Sequence, residues 1–229
     1  MILILTPFGL EHQALCKALR NTCGSSAPSQ ARGRIHVDHF GNQLALALGG
    51  RGKVQFALTA QFLIQELNPR LVVCAGGCGA LAERVRPGDV IAATATVEHD
   101  FKREPRKPLP RFPGDSMSLQ TLRLRVSDSA GFRLHLGEIA SGDEDVATGL
   151  RAAEIARTTG ALGVAWEGAG GARACRFYKV PFLELRAVTD FADARARADF
   201  ASSIQIGMRH VQETLRFLDE DGIPADHST

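Results

Sequence analysis

Four short stretches carry acidic or glycine-rich chemistry just beyond apolar runs. In TPFGLEHQAL, Glu11 falls in the opening turn of a helical pattern that follows the first apolar run. Taken alone, such a carboxylate complements the helix dipole, an effect of a few tenths of a kcal/mol. In Ala75-Gly76-Gly77-Cys78-Gly79-Ala80 an apolar run meets a glycine cluster, where backbone amides can approach a ligand and cradle an anion or a sugar oxygen. Ala82 stands where a dinucleotide fingerprint needs its third glycine, so this is not a Rossmann signature. In Ala165-Trp166-Glu167-Gly168-Ala169-Gly170-Gly171 a buried run ends in a carboxylate ahead of a glycine-rich helix. Each glycine there costs up to ~1 kcal/mol relative to alanine, so close packing or ligand approach is expected to offset it. One carboxylate can accept hydrogen bonds from two adjacent hydroxyls, which makes Glu167 a candidate ribose clamp, the alternative being a surface-loop Glu. In Arg186-Ala187-Val188-Thr189-Asp190-Phe191 an apolar run delivers Asp190. In a partly apolar pocket this carboxyl would be protonated more readily and could act as an acid; a helix N-cap is the alternative.

The elements that must position these groups follow from periodicity. Met1–Leu5 reads as a buried strand, and Leu10, Ala14, Leu15, Ala18 and Leu19 recur at helical spacing. Alternation at Ile35 and Val37, then at Leu44, Leu46 and Leu48, predicts a hairpin turning at Gly41-Asn42. A helix is expected over Lys53–Leu67, stopped by Asn68-Pro69, and a central strand over Leu71–Ala75 that runs into the glycine cluster. Further strands are expected at Asp89–Val97, Leu134–Ala140, Ala161–Ala165 and Phe182–Val188, and a long helix over Arg195–Leu218. The proline-rich stretch Lys102–Met117 is expected to be irregular. Strands alternating with helices predict an α/β fold, a three-layer α/β/α domain whose hairpin makes the central sheet mixed. In such sheets ligands bind beyond the carboxyl ends of the strands, where the four stretches fall.

The 229 residues, with neither repeat nor linker, read as one domain over 1–229, able to bury roughly 70% of the surface of the unfolded chain. A net charge of +2, with 45% hydrophobic residues, disfavours disorder and a nucleic-acid partner. The basic run Lys102–Arg111 has prolines and no interleaved aromatic residue, so it reads as a solvated loop rather than a phosphate-binding patch. Five cysteines are an odd number, and Cys74 and Cys78 have no nearby His or Cys partner, so zinc is disfavoured and free thiols are expected. No window reaches the ~18 apolar residues of a membrane span and the N-terminus lacks a secretory pattern, so a cytoplasmic protein with no membrane partner is expected.

Together the stretches resemble the nucleoside phosphorylase and nucleosidase superfamily, especially its 5′-methylthioadenosine/S-adenosylhomocysteine nucleosidases. The resemblance runs in order along the chain: the early Glu11, Gly52-Lys53-Val54, the glycine cluster with Pro87-Gly88-Asp89-Val90, His99-Asp100, Ser141-Gly142-Asp143, Glu167 before a small-residue helix, and Val180-Pro181-Phe182 leading to Asp190. It implies that Asp190 handles the proton delivered to the purine N7, that Glu11 orients or deprotonates the attacking water, and that Glu167 holds the ribose 2′ and 3′ hydroxyls. Gly76, Gly77, Trp166, Asp145, Val146 and Thr189 would line the substrate pocket, with no metal or organic cofactor. Cleaving an N-glycosidic bond builds an oxocarbenium-like sugar and a base anion, so a proton on the base and carboxylate charge near the ribose both favour the transition state.

The chain departs from that pattern at three points. Ala165-Trp166-Glu167 stands for Glu-Met-Glu; Asp145, with Val146 beside it, stands where an aromatic residue often stacks on the base; and Cys74 stands where hexameric phosphorylases carry a phosphate-binding arginine. Arg51, between Gly50 and Gly52, is the other cation with access to an anion. Water is therefore expected as acceptor. A phosphorylase, a futalosine hydrolase and a nucleoside binder without turnover are the alternatives, and a homodimer is expected, with the stretch around Phe112-Pro113 closing a neighbour's pocket.

Overall fold

The structure, a computed structural model, describes residues 1–23, 29–101, 108–125 and 131–218. The chain opens with β1 (Ile2–Thr6) and α1 (Gly9–Cys23), followed by β2 (Gln30–Arg32), β3 (Ile35–Phe40), β4 (Leu44–Leu48) and α2 (Gly52–Leu67). Next come β5 (Leu71–Ala80), β6 (Val90–Glu98), β7 (Arg111–Pro113), α3 (Ser116–Arg125), β8 (Leu134–Ser141) and α4 (Gly149–Thr159). The chain continues through β9 (Gly163–Ala165), α5 (Gly168–Tyr178), β10 (Phe182–Asp190) and α6 (Ala196–Leu215), and one 3-10 turn covers Arg216–Leu218.

The mixed sheet and its hairpin are as the periodicity predicts: β3 and β4 pair antiparallel with Phe40 opposite Leu44, and β1 lies parallel between β4 and β5. Leucines and isoleucines of β1 point alternately to two cores. Ile2 and Ile4 meet Leu15 and Leu19 of α1 and Met208 and Val211 of α6. Leu3 and Leu5 meet Phe56, Ala60 and Leu63 of α2 and Ala169 and Ala172 of α5. Helices therefore cover both faces, which makes three layers. Asn68, in the left-handed conformation at φ 45°, caps α2 by donating its N–H to the Ile64 carbonyl, and Pro69 follows.

One half of the sheet closes on itself. β5 pairs with β10, β10 with β6, β6 with β8, β8 with β9, and β9 again with β5, so five strands form a ring. Register shifts at Ala93/Thr96 in β6 and at Val188/Asp190 in β10 bend the strands as bulges do. The glycine cluster, expected after a strand ending at Ala75, is itself strand: β5 runs on to Ala80. Pairing with β10 on one edge and β9 on the other overrides the weak strand preference of Gly76, Gly77 and Gly79.

The stretch expected to be irregular holds β7 on the edge of β6 and the start of α3, whose first turn Asp115 caps by accepting from Ser118 N–H and hydroxyl at 2.9 and 2.7 Å. Positions 102–107 of the basic run lie outside the described residues.

Candidate active site

The three carboxylates singled out in the sequence lie around the glycine-rich half of β5: Glu11 follows β1 and Asp190 ends β10, both parallel to β5, and Glu167 follows β9, which runs antiparallel to it. Glu11 enters from the first turn of α1 and is 1% exposed. Its Oε1 accepts from Gly77 N–H at 2.7 Å and its Oε2 from Phe8 N–H at 2.8 Å. Burial lifts its pKa to about 7, against the lowering influence of Arg186 and of the two backbone donors. Glu167, also 1% exposed, follows β9 and precedes α5. Its Oε1 accepts from Gly52 N–H at 3.2 Å, and its Oε2 faces Arg186 Nη2 at 3.3 Å. Burial raises this carboxyl as well, with Arg186 opposing. Asp190 ends β10 and is 6% exposed. It accepts from the Thr189 hydroxyl at 2.7 Å and from Ala192 N–H at 2.9 Å, and burial outweighs both to raise its pKa.

The β5 glycines make this possible. A Cβ on Gly76 would sit 2.7 Å from both Glu11 Oε1 and Arg186 Nη1; one on Gly77 would sit 2.9 Å from the Phe200 ring; one on Gly79 would sit 2.9 Å from Asp190 Oδ1. The helical glycines are explained in the same way: a Cβ on Gly170 would lie 2.2 Å from the Lys53 carbonyl oxygen, so α5 can touch the start of α2 only without one.

Half-buried aromatic rings adjoin the cluster. Trp166 meets Phe8 edge-on at 6.0 Å, Phe8 meets Phe200 at 6.1 Å, and the Arg51 guanidinium lies 4.6 Å from the Phe8 ring centre. Thr189 is fully buried, and besides Asp190 its hydroxyl lies 3.2 Å from the Cys78 carbonyl, so its placement supports Asp190. Val146 is buried with Ala140, Val164 and Ala192, whereas its neighbour Asp145 is exposed. The structure thus brings Glu11, Glu167, Gly76 and Gly77 together around Arg186, with Asp190 one glycine further along β5, and leaves Asp145 at the surface.

Arg186 is the group that sequence reasoning missed. It is 1% exposed and reaches Glu184, Glu167, the Gly77 carbonyl and Cys74 Sγ. The signal was present: Glu184 and Arg186 are opposite charges two residues apart within the apolar stretch Phe182–Val188, hence on one face. Phe8 and Phe200 were missed too, because contacts between distant segments leave no local pattern.

The first two amides of α2 are engaged. Gly52 N–H goes to Glu167, Lys53 N–H goes to Asp143 Oδ1 at 2.8 Å, and Lys53 Nζ bonds Glu98 and Asp100 at 3.0 and 2.5 Å. Two surface hollows lie elsewhere, one of about 230 Å³ beside Phe112, Pro113 and Phe182, the other of about 470 Å³ beside His12, Cys16 and Asp38. Among the described residues no group of three or more His, Cys, Asp or Glu is placed to hold a metal ion, and no helix is long and apolar enough to cross a membrane.

Known proteins share this architecture. A family model described as the phosphorylase superfamily matches residues 1–220. Over 183 residues the chain is 30% identical to a 5′-methylthioadenosine/S-adenosylhomocysteine nucleosidase of Actinobacillus succinogenes, covering 76% of this chain and 80% of that protein. Over 166 residues it is 31% identical to an aminodeoxyfutalosine nucleosidase of Campylobacter jejuni, covering 69% and 72%. The crystal structure of a Helicobacter pylori 5′-methylthioadenosine/S-adenosylhomocysteine nucleosidase with butyl-thio-DADMe-Immucillin-A matches the fold with a TM-score of 0.84 at 23% identity, over 96% of this chain and 97% of that one. By its sequence from residue 1 to 220, and by the fold that positions Glu11, Glu167 and Asp190, this chain belongs to the phosphorylase superfamily.

Proposed function

We propose that the chain, acting as one domain over residues 1–229, is a nucleosidase that hydrolyses the N-glycosidic bond of a purine-type nucleoside related to 5′-methylthioadenosine or S-adenosylhomocysteine. The observation that carries this reading is the set of three buried carboxyls whose burial holds them toward the protonated form around the glycine-rich half of β5. Asp190 acts as the acid: its raised pKa keeps a proton available for the base as the bond breaks. Glu11, raised to about 7, is poised near neutrality to take a proton from water. Gly76 and Gly79, beside Glu11 and Asp190 respectively, are three residues apart on β5, roughly 10 Å of strand, which leaves room for a sugar and its attacking water between acid and base. Glu167, fixed by Gly52 N–H, is the ribose clamp, and the Trp166 ring stands beside the sugar. Gly76 and Gly77 let Glu11, Arg186 and the Phe200 ring close in at the ligand's edge, with Val146 beside the base and Asp145 at the rim.

Three features support water over phosphate as acceptor. The N-terminal amides of α2, where an anion would dock, already serve Glu167 and Asp143. Arg186 is surrounded by carboxyls, and Cys74 occupies the place of a phosphate-binding arginine. The aminodeoxyfutalosine nucleosidase relative favours a second reading of the substrate, a futalosine-type nucleoside cleaved by the same groups.

Exposed Val54 and Leu58, one turn apart on α2, support a homodimer through that face. Unpaired cysteines, four of them buried, support a cytoplasmic location. The test is release of free base from methylthioadenosine, S-adenosylhomocysteine, adenosine, inosine, guanosine and futalosine, each with and without phosphate. Release without phosphate is expected from at least one, whereas strictly phosphate-dependent release would make the chain a phosphorylase and intact recovery of a bound nucleoside would make it a binder.

A further inference from the structure

The strand ring encloses a charged pair to which the reaction scheme assigns no step. Glu184 and Arg186 are 0% and 1% exposed on the same face of β10. Arg186 Nε donates to Glu184 Oε1 at 2.8 Å, and the Thr96 hydroxyl of β6 donates to Glu184 Oε2 at 2.5 Å. Gly168 makes the room, because a Cβ there would lie 2.1 to 2.4 Å from the Glu184 carboxyl atoms. With its Nε edge tethered in this way, the guanidinium turns its other edge to the active-site cluster. Nη1 lies 3.3 Å from the Gly77 carbonyl, and Nη2 lies 3.3 Å from both Cys74 Sγ and Glu167 Oε2. Glu11 Oε1 and Arg186 Nη1 are both 2.7 Å from the position a Cβ of Gly76 would take. One cation therefore faces Glu11 from α1, Glu167 ahead of α5, Glu184 on its own strand and the Cys74 thiol on β5. Buried ion pairs add little or no net stability compared with apolar packing, so stability does not account for this one.

We propose that Glu184 is a positioning residue that, by holding one edge of Arg186, fixes how much of that positive charge reaches Glu11 and so sets the pH at which the water-activating carboxyl ionises. This rests on the hydrolase reading above. Its sign follows from the charges: without the Glu184 carboxylate, Arg186 acts more strongly on Glu11, favours its ionised form, and moves the acid limb of kcat/KM to lower pH.

Two variants test it through the pH profile of kcat/KM. Glu184→Gln keeps the shape and removes the charge. In the double variant Glu184→Ala with Gly168→Ala, the added methyl fills the space left by the carboxyl. In either folded variant the acid limb is expected to fall by about one pH unit. One unit below the wild-type midpoint, the variant then keeps about fivefold more of its own plateau than wild type does. An acid limb unmoved in a folded variant would overturn the proposal, as would failure of both variants to fold, which would make Glu184 a determinant of the fold alone. A wild-type protein that releases no base would instead defeat the hydrolase reading, so the two failures are distinguishable.

Discussion

In the proposed hydrolysis, Asp190 and Glu11 divide acid and base roles through environment rather than through residue type. Both are buried carboxyls; Asp190 is held by one hydroxyl and one backbone amide, Glu11 by two backbone amides with Arg186 close by. Asp190→Asn keeps the shape and removes the proton, so turnover should fall by about 10²- to 10⁴-fold while nucleoside binding stays measurable by calorimetry. Retained turnover would remove Asp190 from the acid role. For Glu11, the folded pKa of about 7 lies above the ordinary value of 4.5, so the fold holds a proton that the unfolded chain releases. Its stabilising contribution is complete below pH 4.5 and is lost as the pH rises through about 7. Glu11→Gln loses one acceptor toward Phe8 N–H at every pH but never has to ionise. Its Tm relative to wild type should therefore rise between about pH 5 and about pH 8.5, and a constant difference would contradict the raised pKa.

The elements of this fold are legible where one face of a segment is apolar and a cap or breaker ends it. The hairpin at Gly41-Asn42, α2 stopped at Asn68-Pro69 and the strand leading to Asp190 all follow from such local rules. Three carboxylates could be singled out because each lies at the end of an apolar run or in the turn that follows one. What local pattern does not carry is the identity of an element's neighbours. The glycines of β5 look like a loop until β9 and β10 pair with them, and Arg186 looks like one charge in a strand until Glu11 and Glu167 arrive from other segments. Close approach is itself testable: Gly170→Ala would set a methyl against the Lys53 backbone, 2.2 Å from its carbonyl oxygen. The clash must push α5 from α2, at a cost of about 1–3 kcal/mol seen in urea unfolding, and it should weaken substrate binding because Gly52 N–H holds Glu167. A variant as stable as wild type would mean that the two helices are not locked together.

At the scale of the whole molecule, the closed ring and the open sheet divide the work. The ring of β5, β10, β6, β8 and β9 contains the Glu184–Arg186 pair, while β1 extends the sheet and leads into α1 and Glu11. Val54 and Leu58 remain 72% and 62% exposed on α2 next to that machinery. If they pack against a second copy, Leu58→Glu should convert the dimer to monomer in sedimentation, and an unchanged sedimentation coefficient would move the interface elsewhere. In the proposed reaction a water activated at Glu11 attacks the sugar. Turnover in ¹⁸O-labelled water, with phosphate present, tests it directly by mass analysis of the sugar product. A free sugar carrying one labelled oxygen at its anomeric carbon is expected, and an unlabelled sugar phosphate would make phosphate the attacking group.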